Sequence, residues 1–409
     1  MSVLSTSRER TGPGFEDAAV LIIAGGRGTR FWPESRIHHP KPLFSIDGKT
    51  SLLAATVARM QPLIPRERVF VLASAEQAPL FCHVLKKLIP PRNLIVEPEG
   101  RGTAVAIAFG TGVIAKRISK EALVAVMPAD HYVTPARAFQ ETLRDAIALA
   151  KTYGAIVLIG IKPTRPESGL GYLKIGRAVE IPLSYPAAAR VRSLSATRPA
   201  MRIAGNELAK DEGYVKAGGP SRRPALGFKL DRFVEKPSAA AAIKMIRSGR
   251  YLWNAGMFVM TAQGLAAELA REAPSLAAAM HSLPVMKPAQ LEHSYRTLNF
   301  DSFDRVVAEK TRNLLGVRAR FTWHDVGSWE GLWDALRGNG RNVLMGNVLE
   351  LGTDGVLARA HGRLMVLLGV KDIVAIETPD VILIANRQQS QDVRKVIDEL
   401  KRRGLDRYL

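Results

Sequence analysis

Over the first 160 residues the apolar positions fall in short unbroken runs: AVLIIAGG (19–26), RVFVLAS (68–74), NLIVEP (93–98), ALVAVMPAD (122–130) and GAIVLIGIKP (154–163). Runs this short, rich in Val and Ile, read as strands covered on both faces. Between them the apolar residues recur at helical spacing, which predicts helices over 51–64, 76–89, 103–118 and 136–153. Strand and helix alternating in this way build an α/β fold with a mostly parallel sheet. Ligands of such sheets lie beyond the carboxyl ends of the strands. That rule gathers a glycine loop after the first strand, Glu97 after the third and Asp130 after the fourth around one crevice.

The pattern changes past residue 163. Segment 176–227 carries proline, glycine and many arginines without a period, and reads as a surface insertion. RFVEKP (232–237), a helix over 238–248 and the strand LWNAGMFVM (252–260) follow, then mainly helix to about residue 312. From about 341 short strands recur at even spacing, in NVLEL, GVLARA, LMVLLGV, DIVAIET and DVILIAN, before an amphipathic helix over 389–403. This predicts a small all-β module. The expected organisation is a flexible N-terminus at 1–17, a main domain at 18–340 and the module at 341–409.

The first strand runs directly into AGGRGTRFWPESRIHHPKP (24–42). It is not the dinucleotide fingerprint, because Phe31 stands where the third glycine would be, and no Gly-Lys-Ser/Thr makes it a P-loop. It joins glycines, which allow close backbone approach, to Arg30 and Lys41, a forked and a point-like cation. A phosphate cradle and a tight turn with solvated basic residues are equal readings of these letters alone.

Composition narrows the class. A chain of 409 residues exceeds the usual size of one core, so two domains are expected. No apolar stretch is long enough for a bilayer and the polar start has no signal-peptide core, which points to the cytoplasm and away from membranes. The single cysteine, Cys82, excludes an intrachain disulfide and a cysteine-cluster metal site, and reads as a small buried hydrophobe. The net charge of +20 comes without a run of five basic residues or basic stretches interleaved with aromatics, so nucleic acid is not the expected partner. A diffuse positive surface is simply a solvated face, and one that also draws in small polyanions.

Asp130 in VMPADH and Asp325 in FTWHDVGSW follow apolar stretches, and carboxylates there suit a hard cation such as Mg²⁺ shared with substrate phosphates. His131 and His324 raise a rival mixed metal site, which strand alternation disfavours because adjacent side chains face opposite ways. For either aspartate alone, a cap or turn residue is the more common outcome. Glu235 and Lys236 in FVEKP can accept from sugar hydroxyls and pair with a sugar phosphate, or form a surface ion pair. Asn254 in WNAG, beside Trp253 and Gly256, offers a two-way hydrogen-bonding amide or a turn before a core strand.

GGRGTRFWPESR...PK (25–41), EPEGRGTA (97–104), PADH (128–131), KPTRPESGLGY (162–172), FVEKP (233–237), LWNAGMF (252–258), FDRVVAEK (303–310) and WHDVGSW (323–329) resemble the mannose-1-phosphate guanylyltransferases, in family order from about residue 18 to the end. The resemblance implies a Rossmann-like nucleotidyltransferase domain with a mixed, mostly parallel sheet, then a left-handed β-helix-like module. It implies formation of GDP-mannose and pyrophosphate from GTP and mannose 1-phosphate with Mg²⁺, and a monofunctional chain, since longer relatives continue into an isomerase domain. By position, Gly25, Gly26, Gly28, Thr29 and Arg30 would hold the triphosphate, with Glu97, Arg101 and Thr103 also at the nucleotide. Lys41 would contact phosphates at the reacting centre, Asp130 and Asp325 would bind the metal, and Gly171, Glu235, Lys236 and Asn254 would hold the sugar phosphate. Arg30, Lys41, Asp130 and Asp325 are thereby the expected catalytic set.

Four positions depart from the family pattern: Pro42 and Leu43 in place of its PKQF continuation, Gly102 for an asparagine and Val105 for a proline. Loss of an amide near the nucleotide would relax selection of guanine. The competing readings are a pyrophosphorylase for glucose 1-phosphate or another nucleotide, and a catalytically weak GDP-mannose-binding regulator. Retention of the phosphate and metal residues argues against the second. The β module and final helix offer surfaces for a homodimer.

Overall fold

A computed structural model describes residues 17–26, 28–181 and 226–409. In chain order its first ten strands are β1 (Ala18–Ile23), β2 (Val69–Ser74), β3 (Leu94–Glu97), β4 (Leu123–Pro128), β5 (Tyr132–Thr134), β6 (Ile156–Ile161), β7 (Tyr172–Glu180), β8 (Leu226–Val234), β9 (Tyr251–Thr261) and β10 (Leu314–Arg318). All except β5 form one sheet of order β3-β2-β1-β4-β9-β6-β10-β8-β7. β1 runs parallel to β2 and β4, whereas β9 lies antiparallel between β4 and β6, so the sheet is mixed.

Alternation along the strands separates two cores. Val20 and Ile22 of β1, with Ala125 and Met127 of β4, face the helices Leu52–Arg59, Ala78–Leu85 and Ala136–Tyr153. Leu21 of β1 and Val124 and Val126 of β4 face the helices Thr103–Arg117, Ala262–Glu272 and Pro274–Ser282. Both faces being buried is why these strands read as continuous apolar text. Among the described residues no helix is long and apolar enough to cross a membrane.

Several expectations need correction. The predicted helix over 51–64 stops at Arg59, with Pro62 close behind. Residues 176–180 are not irregular: they continue β7, which pairs antiparallel with β8 through Ala178↔Phe228 and Glu180↔Leu226. The rest of that segment, and residues 1–16, lie outside the described residues. Cys82 is exposed on its helix instead of buried. The strand expected over LWNAGMFVM is β9, and WNAG lies in its middle instead of in a turn before it, opposite a register shift between Leu158 and Gly160.

β11 (Thr322–His324) pairs antiparallel with β5, and the C-terminal part adds β12 (Val343–Met345), β13 (Val348–Leu351), β14 (Leu357–Arg359), β15 (Met365–Leu368), β16 (Ile373–Glu377) and β17 (Ile382–Asn386). β12, β14 and β16 stack in parallel, and β13 pairs in parallel with β15, the layering of a coiled strand module. The helix Val393–Arg402 closes it.

Candidate active site

The glycine loop is built around close approach. Gly28 has φ +59, and a Cβ on it would lie 2.3 Å from the Lys41 Cβ, so only glycine lets the loop fold down on Lys41. Gly25 and Gly26 stay exposed, Gly26 at φ +100 with its carbonyl accepting from Gln77 Nε2. Thr29 and Arg30 begin a short 3-10 turn, and Arg30 is exposed at the rim of a cavity of about 740 Å³.

Lys41, by contrast, is buried, with its ammonium 5.7 Å from the centre of the Phe31 ring. It donates to Asp130 Oδ2 at 2.7 Å and to the Asp325 carbonyl at 2.9 Å. The pairing of β5 with β11 makes this possible, because His324↔Tyr132 places the residues flanking that pair at one end of the ladder. Burial opposes ionisation of Asp130, yet the nearby Lys41 ammonium, joined by its hydrogen bond, holds the carboxyl below its usual range. His131 is engaged by Trp323, its Nδ1 accepting from Trp323 Nε1 at 3.1 Å, and burial lowers its pKa although Asp130 pulls upward. The Asp325 carboxylate has no hydrogen-bond or ion-pair partner among the described residues and lines the cavity.

A second group assembles from three distant segments. A Cβ on Gly171 would meet Glu235 Oε2 at 2.7 Å, Phe233 Cζ at 3.0 Å and Asn254 Cβ at 3.3 Å, so glycine there leaves the Glu235 carboxylate its place. The Gly171 carbonyl accepts from the Asn254 backbone at 2.8 Å. Lys236, exposed and in the cavity wall, holds its ammonium 3.4 Å from Glu235. Burial raises the Glu235 pKa, with Lys236 opposing. Asn254 Nδ2 donates to Asp304 Oδ1 at 2.8 Å while its Oδ1 accepts from Gly256, which fixes the amide.

Backbone strain flanks both groups. Lys236 and Val326 each have φ +44, a conformation costly for any side chain and most of all for a β-branched one. Each adjoins a candidate ligand-binding carboxylate, Glu235 and Asp325.

The nucleotidyl transferase family matches residues 19–195 and 185–340, and the MannoseP isomerase/GMP-like beta-helix domain matches 346–400. A mannose-1-phosphate guanylyltransferase of Salmonella montevideo is 32% identical over 93% of this chain and 73% of its own length. The chain belongs to the mannose-1-phosphate guanylyltransferase family. A second relative of that name, from Escherichia coli K12, is 30% identical over 94% of the chain and 73% of itself. A crystal structure described as mannose-1-phosphate geranyltransferase from Thermus thermophilus superposes with a TM-score of 0.76, at 30% identity over 94% of this chain and 99% of that one.

Of the residues implied by the family resemblance, Arg30, Lys236 and Asp325 line the cavity itself in this guanylyltransferase family member, and the others lie behind or beside it. Glu97 is 4% exposed and carries a buried hydrogen bond from the Tyr295 hydroxyl, and burial lifts its pKa to about 7. Arg101 pairs with Glu99, and Thr103 Oγ1 accepts from the Phe303 amide. Gly102 has φ +85 and a Cβ there would lie 3.1 Å from the Phe300 carbonyl, so the asparagine of the family pattern would be strained in this loop conformation.

The structure also assigns work to residues quoted only as motif letters. Phe31, Phe44 and Trp329 are fully buried and pack with Leu357, Val374 and Ile376 of the β module, each ring contributing about 2–3 kcal/mol of burial. Trp32 Nε1 donates to the Tyr408 carbonyl at 2.7 Å, Arg36 grips both oxygens of Asp380 at 2.7 Å, and buried Glu34 meets Arg359 at 2.7 Å. FWPESR is therefore the socket of the C-terminal module, and the phosphate loop rests on it. Asp304, which opens the π turn of FDRVVAEK, and Glu309, which caps its end, were likewise missed: Glu309 accepts from the Glu235 amide, and burial, then Glu235, push Asp304 up to about 6. Their five-residue spacing fits no α-helical face, which hid the pairing.

Proposed function

We propose that the protein forms GDP-mannose and pyrophosphate from GTP and mannose 1-phosphate. The observation that carries this reading is the opening of Arg30, Lys236 and Asp325 onto one cavity of about 740 Å³, with Lys41 and Glu235 immediately behind them. Such a site can hold two phosphorylated ligands side by side. The phosphate oxygen of the sugar phosphate is already anionic near neutral pH, so it forms the new bond to the α-phosphorus directly. The bond from that phosphorus to the bridging oxygen breaks, pyrophosphate leaves with the electron pair, and no general base is required.

This chain's own task is to bring two anions together. Arg30 and the bare amides of Gly25, Gly26 and Gly28 grip the triphosphate, Lys41 counters charge at the reacting centre, and Lys236 takes the sugar phosphate. Glu235 accepts from sugar hydroxyls with Gly171 and Asn254 shaping the floor. Asp130 and Asp325 fit a hard divalent cation: both supply carboxylate oxygen, and that of Asp325 has no protein partner among the described residues. Mg²⁺ held there would neutralise charge on the phosphates and the leaving group. A cytoplasmic setting accords with this role.

The test is pyrophosphate release by the purified protein with Mg²⁺, crossing GTP, ATP, UTP and dTTP with mannose 1-phosphate and glucose 1-phosphate, with Asp130→Asn as the blank. Release confined to GTP and mannose 1-phosphate is expected. Release with another pair moves the substrate, and silence across the grid with retained GDP-mannose binding overturns the catalytic reading.

A further inference from the structure

The active-site loops leave the carboxyl ends of the parallel strands. At the opposite, amino ends of β1, β2 and β3 lies a second cavity of about 700 Å³. Arg68 enters it from the turn before β2, Arg92 from the turn before β3, and Arg117 from the last position of the helix Thr103–Arg117. β1 alone, at six residues, separates the two ends by about 20 Å.

These guanidiniums are only partly compensated from within: Arg92 lies close enough to help lower the Glu67 pKa, and Arg117 stacks 5.9 Å from the Phe70 ring centre, but no carboxylate forms an ion pair with Arg68, Arg92 or Arg117 among the described residues. Arg117 Nη1 donates to the Arg92 carbonyl at 2.5 Å, which holds two like charges together, and burial followed by repulsion from Arg92 lowers its pKa. Arg68 Nη1 is buried with no hydrogen-bond partner among the described residues, a loss that a folded protein seldom leaves standing. Two carboxylates, Asp17 and Glu67, also line the cavity, but Glu67 is engaged by Arg66 at 2.9 Å and neither forms an ion pair with the three arginines among the described residues. Buried Asn93 donates to the Glu67 and Val69 carbonyls, so the turn presenting Arg68 is fixed in advance.

We propose that this cavity is a second anion site, taking a phosphorylated small molecule through the forked donors of Arg68, Arg92 and Arg117. Guanidinium pairs with phosphate oxygens two at a time, and the cavity is larger than one phosphate group requires. The site is independent of the active site and of the reaction assigned to it.

Calorimetric titration of inorganic pyrophosphate, and separately of inorganic phosphate, into the full chain tests this. Pyrophosphate is expected to fill two sites in the unaltered protein. Arg92→Gln and Arg117→Gln, both at exposed positions, should each weaken one site by about tenfold or more and leave saturated turnover and the other site intact. Lys41→Ala should remove the other site and keep this one. Equal binding of phosphate and pyrophosphate here would set the ligand as a monoester, and preference for pyrophosphate would set it as a diphosphate. A single site in the unaltered protein, or two undiminished sites in both arginine variants, overturns the proposal.

Discussion

Gly171→Ala tests the sugar-binding floor by adding one methyl group. Its Cβ would stand 2.7 Å from Glu235 Oε2, about 0.7 Å short of the 3.4 Å at which ordinary contact begins. The carboxylate end can swing away, whereas the Phe233 ring at 3.0 Å gives less readily, so overpacking should cost about 1–3 kcal/mol of stability. The larger effect is on binding. A displaced Glu235 loses a charge-assisted hydrogen bond to a sugar hydroxyl worth about 1.5–3 kcal/mol, a roughly ten- to hundredfold fall in kcat/KM. The assay is continuous pyrophosphate release with each substrate varied at saturation of the other, alongside a thermal melt. The fall should appear for mannose 1-phosphate, with KM for GTP within about twofold of its starting value. A folded variant with unchanged kcat/KM for mannose 1-phosphate, or with equal losses for both substrates, refutes the placement of Glu235 on the sugar.

Asp325→Asn should lower kcat by roughly a hundredfold or more without moving the melting transition, and near-normal turnover would remove Asp325 from the metal site. Arg359→Met leaves Glu34 buried with only the His361 ring, so urea unfolding should show a loss of about 3 kcal/mol, largely recovered when Glu34→Gln is added; an unchanged midpoint in the single variant would deny the ion pair its role in docking the module. Glu97 has a folded pKa of about 7, above its unfolded value, so its contribution is complete below about pH 4.5 and disappears as pH rises through 7, a change of about 3 kcal/mol. Denaturation at pH 5 and pH 8 should show that slope in the unaltered protein and a smaller one in Glu97→Gln, and equal slopes would place Glu97 in water.

The alternating runs of the first 160 residues, the glycine loop and the small β module were all legible in the amino-acid order. Local periodicity reports which faces are buried, and glycine with cations reports where backbone must meet charge. Which residues meet across the chain is a different matter. Lys41 reaches the Asp325 carbonyl 284 residues away, only because β5 and β11 pair. Glu97 closes β3 as Asp130 follows β4, yet it turns to Tyr295 in the core, and no local signal separates the two. Phe31, Trp32 and Glu34 look like ligand-loop letters until the β module closes on them. The linear text thus determined the elements and the reaction class, because each rests on neighbours within a strand, a turn or a motif. The tertiary structure decided which carboxylates face the cavity and what the loop rests on, because convergence depends on strand order and on a core shared by both ends of the chain.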